Sequence, residues 1–429
     1  MKVVKVILVL LPAAGLFLWA VVHTKQSLPE SSGPLPHECY IWQRVWDEEL
    51  QNSIGQAEST FEGFTVLAAE IDVRPDRQAQ QIMPVDYSFL SSLSIPVGIA
   101  IRINPYSGPF DQTDPSTQSI CHVIRTVLET CADAGFEPVE IQLDYDCAES
   151  KLPGYCSWVK YFKEIFPEYP ITITALPSWI NNRQFKKLIH SSDSYILQVH
   201  SLERPDSIAD EVVLCDPKNT LKWIQKAERF DVPYRVALPT YGYLVAYDEQ
   251  GKFLGLSAEG PMPGWPENTQ IKTVLSDAKK ISSMIQDVRA VSPKHLTGII
   301  WFRLPVSSDQ LNWQWHTLQR VIQEQPLTEK MEAVIDWPQP NLAEVYLVNS
   351  GDIDVSVPVT VSVDFVAGDC LAADGLTGYT VHEGKQEGTM LLSPDRVGPG
   401  WRIRAQEKVK VAWCRFNKDT EVKANVRIE

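Results

Sequence analysis

The sequence predicts a mixed α/β chain: a (β/α)8 TIM barrel, then a small antiparallel β-sandwich-like domain, with an N-terminal membrane anchor or signal in front. Three observations predict this order. Eight apolar strand-like segments alternate with helical segments, a strictly alternating valine pattern follows them, and an uncharged apolar run precedes them. The rival doubly wound sheet requires a glycine-rich phosphate loop after an early strand, and the sequence has none.

The predicted barrel strands are short apolar segments bounded by polar turns. Between them, an apolar face at helical spacing predicts a helix around 120–131, and Asp216-Pro217 suits an N-cap followed by the first helical position. Apolar stripes at 271–285 and 311–322 predict the last two helices, whereas 73–92 carries no long stripe. The eight strands are residues 39–45, 64–73, 96–103, 139–146, 171–178, 195–201, 234–243 and 297–305.

The character of the sequence changes after Leu327. From Val355 to Phe365 apolar and polar residues alternate strictly, and 409–413 shows the same period, which predicts strands with one buried face. Glycine-containing turns separate these segments, as in a small antiparallel β domain. The predicted organisation is an anchor or signal, a linker, a barrel and a β domain, at residues 1–24, 25–37, 38–327 and 328–429.

The N-terminus has the pattern of an export segment. Lys2 and Lys5 precede an uncharged apolar run from Val6 to Val22, whose length is at the low end of what spans a bilayer. No small-x-small cleavage site closes the run, so we favour an uncleaved anchor in the inner membrane over a removed signal. The rest of the chain should then lie on the periplasmic or extracytoplasmic side.

Composition restricts the partners and cofactors. The net charge of −15 disfavours nucleic acid, because a polyanion would be repelled. Eight cysteines fit an exported protein, in which Cys147 could pair with Cys156 and Cys370 with Cys414. No CxxC motif and no His-plus-Cys spacing of a zinc site occurs, so we expect neither a metal nor a cofactor.

Side-chain parity predicts a cluster of polar residues at one end of the barrel. Active sites of such barrels lie at the C-terminal ends of the strands, where alternate side chains point inward. On the fourth strand Val139, Ile141 and Leu143 should face the helices, so the even-numbered residues from Glu140 to Asp146 should face the axis. The predicted rim consists of Glu70, Asp72, Arg102, Asp144, Asp146, Gln198, His200, Tyr241, Tyr243, Trp301 and Arg303.

Carboxylates close together at such a rim suit glycoside hydrolysis, which requires two carboxyl groups that flank the scissile bond, one of them with a raised pKa as the acid. A neighbouring negative charge raises the pKa of the acid. We therefore expect Asp144, Asp146 and Glu70 to be catalytic and the other rim residues to bind a carbohydrate. Trp301 would supply an apolar floor for a sugar ring.

Four motifs resemble an uncharacterised bacterial family, a domain of unknown function of glycoside-hydrolase-like barrels. They are YIWQRVW, QLDYDC, LPTYGY and GIIWFRLP, at the first, fourth, seventh and eighth strands. The resemblance covers roughly residues 38–325 and implies a barrel with a carbohydrate role. A more distant likeness is to the chitinase-type glycosidases, whose fourth strand ends in D-x-x-D-x-D-x-E. There the glutamate is the acid, and the preceding aspartate orients the acetamido group of the substrate.

This chain departs from the chitinase pattern at one position. Asp144 and Asp146 match the spaced aspartates, but Ala148 stands where the acid should be, and Glu149 follows one residue later. Three hypotheses therefore stay open. The first is an exported, membrane-anchored glycosidase that acts on a cell-envelope or extracellular polysaccharide. The second is a non-catalytic carbohydrate-binding or envelope-assembly protein on the same barrel. The third is a structural envelope protein whose cleft is blocked by the insertion at 244–268.

Overall fold

The computed structural model describes residues 35–74, 77–200, 204–258, 264–356, 359–366, 368–397 and 401–428. Its first twelve strands belong to the N-terminal part. They are β1 (His37–Ile41), β2 (Gly63–Arg74), β3 (Arg77–Ile82), β4 (Val97–Ile103), β5 (Ile141–Tyr145), β6 (Ile171–Ala175), β7 (Ser194–Gln198), β8 (Tyr234–Pro239), β9 (Gly242–Tyr247), β10 (Phe253–Ser257), β11 (Gln270–Leu275) and β12 (Leu296–Phe302).

Eight of these strands form a closed parallel barrel, which confirms the predicted fold of this part. The order around the barrel is β1-β2-β4-β5-β6-β7-β8-β12, and β12 pairs with β1 to close it. Each of the eight segments predicted as a barrel strand forms one. The observed strands are shorter than predicted at several ends, as in β5, which begins at Ile141 rather than at Val139.

Helices follow the barrel strands and cover their outer faces. They are α1 (Glu48–Ala57), α2 (Tyr87–Ser91), α3 (Pro115–Asp133), α4 (Leu152–Ile165), α5 (Arg183–Ile189), α6 (Pro217–Ala227), α7 (Ala278–Val291) and α8 (Trp315–Ile322). Asp114 and Asp216 accept hydrogen bonds from the first backbone amides of α3 and α6, and a proline stands at the first turn of each. These caps satisfy amides that have no partner inside the helix, so they fix where the two helices begin.

Two insertions interrupt the strand–helix alternation. The segment after β2, which carries no apolar stripe, forms the antiparallel strand β3 and the short helix α2. After β8, β9 pairs with both β10 and β11 in a three-stranded antiparallel sheet. The predicted helix at 271–285 is therefore wrong in its first part, since Gln270–Leu275 is a strand and α7 begins at Ala278. Pairing with β9 supplies hydrogen bonds that the local pattern could not reveal.

Apolar side chains pack on both faces of the barrel strands. The larger core lies between the strands and the helices and includes Leu143, Trp158 and Trp301. A smaller cluster fills the barrel interior and includes Tyr40, Ile196 and Ile300. The interior is thus packed with side chains.

The C-terminal part consists of antiparallel sheets. Its strands are β13 (Met331–Gln339), β14 (Leu342–Asn349), β15 (Val355–Ser356), β16 (Val359–Val366), β17 (Cys370–Gly375), β18 (Thr380–Glu383), β19 (Thr389–Ser393), β20 (Arg402–Ile403), β21 (Lys408–Phe416) and β22 (Glu421–Ile428). Two four-stranded sheets, β13-β14-β21-β17 and β18-β19-β16-β22, share one core that includes Val345, Val361 and Leu392. The exact limits of the predicted domains stay predictions.

The structure does not test the predicted membrane segment, and it corrects the predicted disulfides. The run from Val6 to Val22 lies outside the described residues, and within the described ranges no helix has the length and apolarity of a membrane span. All eight cysteines are described, and all are free thiols, so neither Cys147–Cys156 nor Cys370–Cys414 is formed. Cys156 lies on α4 and its sulfur is 3.0 Å from the hydroxyl of Ser191 instead.

Candidate functional site

The fourth barrel strand, β5, presents its polar residues to the barrel interior. Ile141 and Leu143 are fully buried in the core beneath the helices, whereas Gln142 and Asp144 lie inside the barrel. Gln142 accepts a hydrogen bond from the hydroxyl of Tyr40 at 2.8 Å. Val139 precedes the strand and is half exposed, so the prediction that it faces the helices is wrong.

Glu140, at the lower end of the barrel, belongs to a buried ion cluster. The guanidinium of Arg235 donates to both carboxylate oxygens of Glu140, at 2.6 and 2.8 Å, and also to Glu38. The hydroxyl of Thr172 donates to Glu140 as well. These contacts join Glu140 to residues of β1, β6 and β8 at this end of the barrel.

Asp144 is buried at the upper end of β5 and is held by three donors. Arg102 donates to Oδ2 at 2.9 Å, Thr174 donates to Oδ1 at 2.9 Å, and Gln198 donates to Oδ1 at 3.2 Å. These donors come from β4, β6 and β7, so three neighbouring strands fix one carboxylate. Asp144 is therefore a rigid negative charge.

Asp146 lies one residue beyond the end of β5 and differs from its neighbour. Its Oδ1 atom is buried and has no hydrogen-bond partner among the described residues. Burial, together with the negative charge of Asp144, raises the pKa of Asp146 to about 7, and the charge of Arg102 opposes this rise. A carboxyl group that keeps a proton near neutral pH is what general acid catalysis requires.

The other two predicted carboxylates are each paired with an arginine. Arg44 binds both oxygens of Glu70, at 2.6 and 3.0 Å, and Arg74 binds both oxygens of Asp72, at 2.6 and 2.9 Å. Such two-point pairs fix the position and orientation of a carboxylate. Three of the four predicted carboxylates are thus held by arginine, and Asp146 is the exception.

An open cavity of about 440 Å³ lies at the mouth of the barrel. Its walls come from the end of β1, the start of α1, the loop after β8 and the segment after β12. Of the predicted residues, Arg102, Tyr241, Tyr243 and Arg303 line it. Arg102 also binds Asp144, so this arginine connects the cavity to the pair of aspartates. The insertion after β8 borders the cavity through Tyr243 and Ala258.

The floor of the cavity is aromatic and is centred on Phe302. The ring of Phe302 lies 5.3 Å from Trp42, 5.3 Å from His200 and 5.4 Å from Tyr241. These rings pack against one another, and Trp42 and Tyr241 are largely buried, so the floor is a closely packed apolar surface. Sequence reasoning missed Trp42 and Phe302, although Trp42 stands in the quoted motif of the first strand.

His200 is a half-buried, neutral member of this aromatic group. Burial lowers its pKa to about 4. Its Nδ1 atom lies 3.3 Å from the hydroxyl of Tyr241, which lies 3.1 Å from that of Tyr243. The Nε2 atom is buried without a partner among the described residues. The chain of His200, Tyr241 and Tyr243 thus presents hydroxyl groups that can bind a polar ligand at the rim.

Trp301 does not face the barrel axis, so that prediction is wrong. Its ring is buried beneath the helices, 5.8 Å from the ring of Trp313, and its Nε1 donates to His37. Ile300 is the inward residue of β12, and Phe302 packs against the same interior cluster. Arg303 lies beyond the end of this strand; it lines the cavity while binding Asp309 at 2.6 Å.

Glu149, the other candidate for the missing acid, is outside this arrangement. It lies on the exposed surface and accepts a hydrogen bond from Asn182 at 2.9 Å. Of the four carboxylates predicted at the rim, Asp146 alone has no arginine partner among the described residues. In the part of the chain that the structure covers, no group of three His, Cys, Asp or Glu side chains is arranged to hold a metal ion.

Comparisons with known proteins agree with this fold. Residues 95–307 match the family model described as Domain of unknown function (DUF3142), and residues 334–417 match that of Domain of unknown function (DUF8456). No curated protein matches the chain. The C-terminal domain of a putative chitinase from Desulfitobacterium hafniense is similar in structure, with a TM-score of 0.50 and 9% identity. This match covers 68% of the present chain and 100% of the other.

Two further solved structures show weaker likeness. The chitinase from Chromobacterium violaceum has a TM-score of 0.47 and 12% identity over 68% of this chain and 98% of its own. The Bacillus cereus spore cortex-lytic enzyme has a TM-score of 0.46 and 14% identity over 68% of this chain and 74% of its own. The resemblance to a domain of unknown function and the distant likeness to chitinases are both confirmed. At these identities, the structural likeness shows the fold alone.

Proposed function

We propose that this chain is a glycoside hydrolase of the chitinase type, with Asp146 as its general acid and a polysaccharide of N-acetylated amino sugars as its substrate. The observation that carries the proposal is the arrangement at the end of β5. A carboxyl group whose buried Oδ1 atom has no partner among the described residues lies beside Asp144, which Arg102 and two further donors hold in place. The aromatic cavity at the barrel mouth supports a sugar ligand.

The proposed reaction uses one protein carboxyl group. Asp146 gives its proton to the glycosidic oxygen, the bond from that oxygen to the anomeric carbon breaks, and the acetamido oxygen of the substrate bonds to that carbon. Water then opens this cyclic intermediate, while Asp146 recovers a proton from the water. This substrate-assisted route suits the site because Glu70, proposed as a second carboxylate, is held by Arg44. In the chitinase pattern the aspartate that orients the acetamido group aligns with Asp146, so this proposal gives Asp146 the role of the missing glutamate and gives Asp144 the orienting role.

The proposal includes a location. The positive flank and apolar run at residues 1–24 support a membrane anchor, which would place the barrel on the periplasmic or extracytoplasmic side. A polysaccharide of the cell envelope or of the surroundings is then the substrate within reach.

Carbohydrate binding without catalysis is the second candidate. The observation in its favour is that Glu70, Asp72 and Asp144 are already paired with arginine, and that Ala148 stands where chitinases have their acid. A protein that only binds sugar needs the aromatic floor and the tyrosine hydroxyls but no acid.

One experiment separates the two candidates. The full chain, purified in detergent, is incubated with chitin oligosaccharides and with bacterial peptidoglycan, and new reducing ends are counted. The hydrolase proposal predicts release that Asp146→Asn abolishes and Glu149→Gln leaves unchanged. Binding of the oligosaccharides without release by the wild-type chain would contradict it and favour the binding protein.

A further inference from the structure

The β domain carries a partly exposed indole at one end. Trp337 lies near the end of β13 and is 43% exposed. Its ring is 6.3 Å from that of Phe416, which is buried in the core of the domain. Pro338 follows it within β13, and Pro340 lies in the turn to β14. Contact with a buried ring and the two prolines hold this indole in place, so its solvent-facing part is a preformed surface.

A groove of about 520 Å³ opens beside this indole. It is lined by residues 337–341 together with Asp419 and Thr420. The lining therefore combines an indole and two prolines with amide, carboxylate and hydroxyl groups, and no lining residue is cationic. The side-chain oxygen of Asn341 has no hydrogen-bond donor among the described residues.

Exposed apolar side chains of the β domain are concentrated at this end. Among the described residues after 327, the large hydrophobic side chains that are exposed are Trp337, Val366 at 65% and Leu371 at 64%. Val366 ends β16 and Leu371 lies on β17, and Gly368 and Asp369 come between these two strands in the sequence. Asn417 donates to Asp369 at 2.7 Å. Thr420, which lines the groove, lies directly against Gly368.

We propose that this end of the β domain is a second carbohydrate-binding site, which holds a polysaccharide chain by stacking a sugar ring on Trp337. A sugar ring has an apolar face that suits an indole and hydroxyl groups that suit amides and carboxylates. The absence of cations from the groove lining disfavours a polyanion. Three separate apolar side chains are too few for the core of a stable protein interface.

The proposed site gives the chain a second point of attachment to the polymer that the barrel would cleave. Two weak sites on one chain raise the overall affinity for a repeating ligand, because the second contact forms within the same complex. The choice of a polysaccharide as the ligand rests on the proposed function. The site itself is defined by the geometry of the β domain.

The test measures retention of the full chain by insoluble chitin and by peptidoglycan. Trp337→Ala should weaken binding by at least about fivefold, the threshold for a side chain that matters in binding. Trp337→Tyr keeps an aromatic face and should bind within about twofold of the wild type. Thr420→Arg leaves Trp337 in place and fills the groove, so it should weaken binding as well. Val291→Ala is the control for an exposed apolar side chain, since Val291 is 49% exposed at the end of α7 and lines neither the barrel cavity nor the groove.

Thermal unfolding of each variant shows whether it folds. If Trp337→Ala does not fold, Trp337→Tyr and Thr420→Arg still test the site. Wild-type binding by folded variants at both Trp337 and Thr420, or no retention of the intact chain on either polymer, would overturn the inference. Hydrolysis in the same samples separates it from the proposed function. If retention depends on Trp337 but no hydrolysis occurs, only the proposed function is contradicted. If hydrolysis occurs and retention does not depend on Trp337, only the second binding site is contradicted.

Discussion

Asp146→Asn should make the protein more stable at neutral and alkaline pH while removing its activity. The substitution keeps the shape of the side chain and removes its ability to ionise. The wild-type carboxyl group has a pKa of about 7 in the folded chain, compared with an ordinary value of 3.8. The causes are burial and the negative charge of Asp144. Ionising this group in the folded state therefore costs free energy, and asparagine avoids that cost.

The size and sign of the effect follow from proton linkage. Between about pH 4 and pH 7 the folded chain keeps a proton that the unfolded chain has released, so the wild type loses stability as the pH rises through this window. At about 1.4 kcal/mol per pH unit, the difference between 3.8 and about 7 amounts to at most roughly 4 kcal/mol. We therefore expect Asp146→Asn to be about 1–4 kcal/mol more stable than the wild type at pH 8 and equal to it near pH 4.

The assay is urea unfolding of the two proteins at pH 4.5, 6 and 8. The quantity to compare is the difference between variant and wild type. His37 and His200, whose pKa values burial lowers to about 4, titrate in part of this range in both proteins. Glu149→Gln, an exposed carboxyl group nearby, should show no such difference. An Asp146→Asn protein that is less stable at pH 8, or a difference that does not change with pH, would refute the reasoning.

Three further outcomes are expected. Leu143→Ala should cost about 2–5 kcal/mol in urea unfolding, because it opens a cavity in the core; a cost below about 1 kcal/mol would show that this face is not packed. Arg102→Gln removes the positive charge that lowers the pKa of Asp146, so the pKa measured by NMR titration should rise above that of the wild type; an unchanged value would show that the charge does not act there. A reporter fused after residue 40 should be active only outside the cytoplasm, and cytoplasmic activity would contradict the anchor.

The alternation of side chains along a strand predicted the inward-facing residues of β5 correctly and those of β12 wrongly, for a physical reason. In β5 polar and apolar residues alternate, so Leu143 and Asp144 could be assigned to opposite faces from the sequence. In β12, residues 299–302 are all apolar, and both faces of the strand are buried, so nothing in the pattern distinguishes Trp301 from its neighbours. The sequence predicts that Trp301 faces the barrel axis, but Phe302 is the aromatic residue that packs against the interior cluster.

The remaining differences come from contacts between distant parts of the chain. The stripe at 271–285 fits a helix locally, but its first residues pair with β9. The pairing of Glu70 with Arg44 joins the end of β2 to the segment after β1, and no spacing predicts it. The sequence predicted that Asp144 and Asp146 lie at the same end of the barrel. It could not show that three strands supply donors to the first and none of the described residues supplies one to the Oδ1 atom of the second.

The measurement that tests the central claim most directly compares two substrates with different leaving groups. Asp146 as general acid matters most when the departing oxygen needs a proton, as in a chitin oligosaccharide, and least when the leaving group is an acidic phenol, as in a dinitrophenyl glycoside. For Asp146→Asn we predict a loss of kcat/KM of about 10²–10⁴-fold on the oligosaccharide and a much smaller loss on the aryl glycoside. Equal losses on both substrates, or no loss on either, would contradict the assignment of Asp146 as the acid.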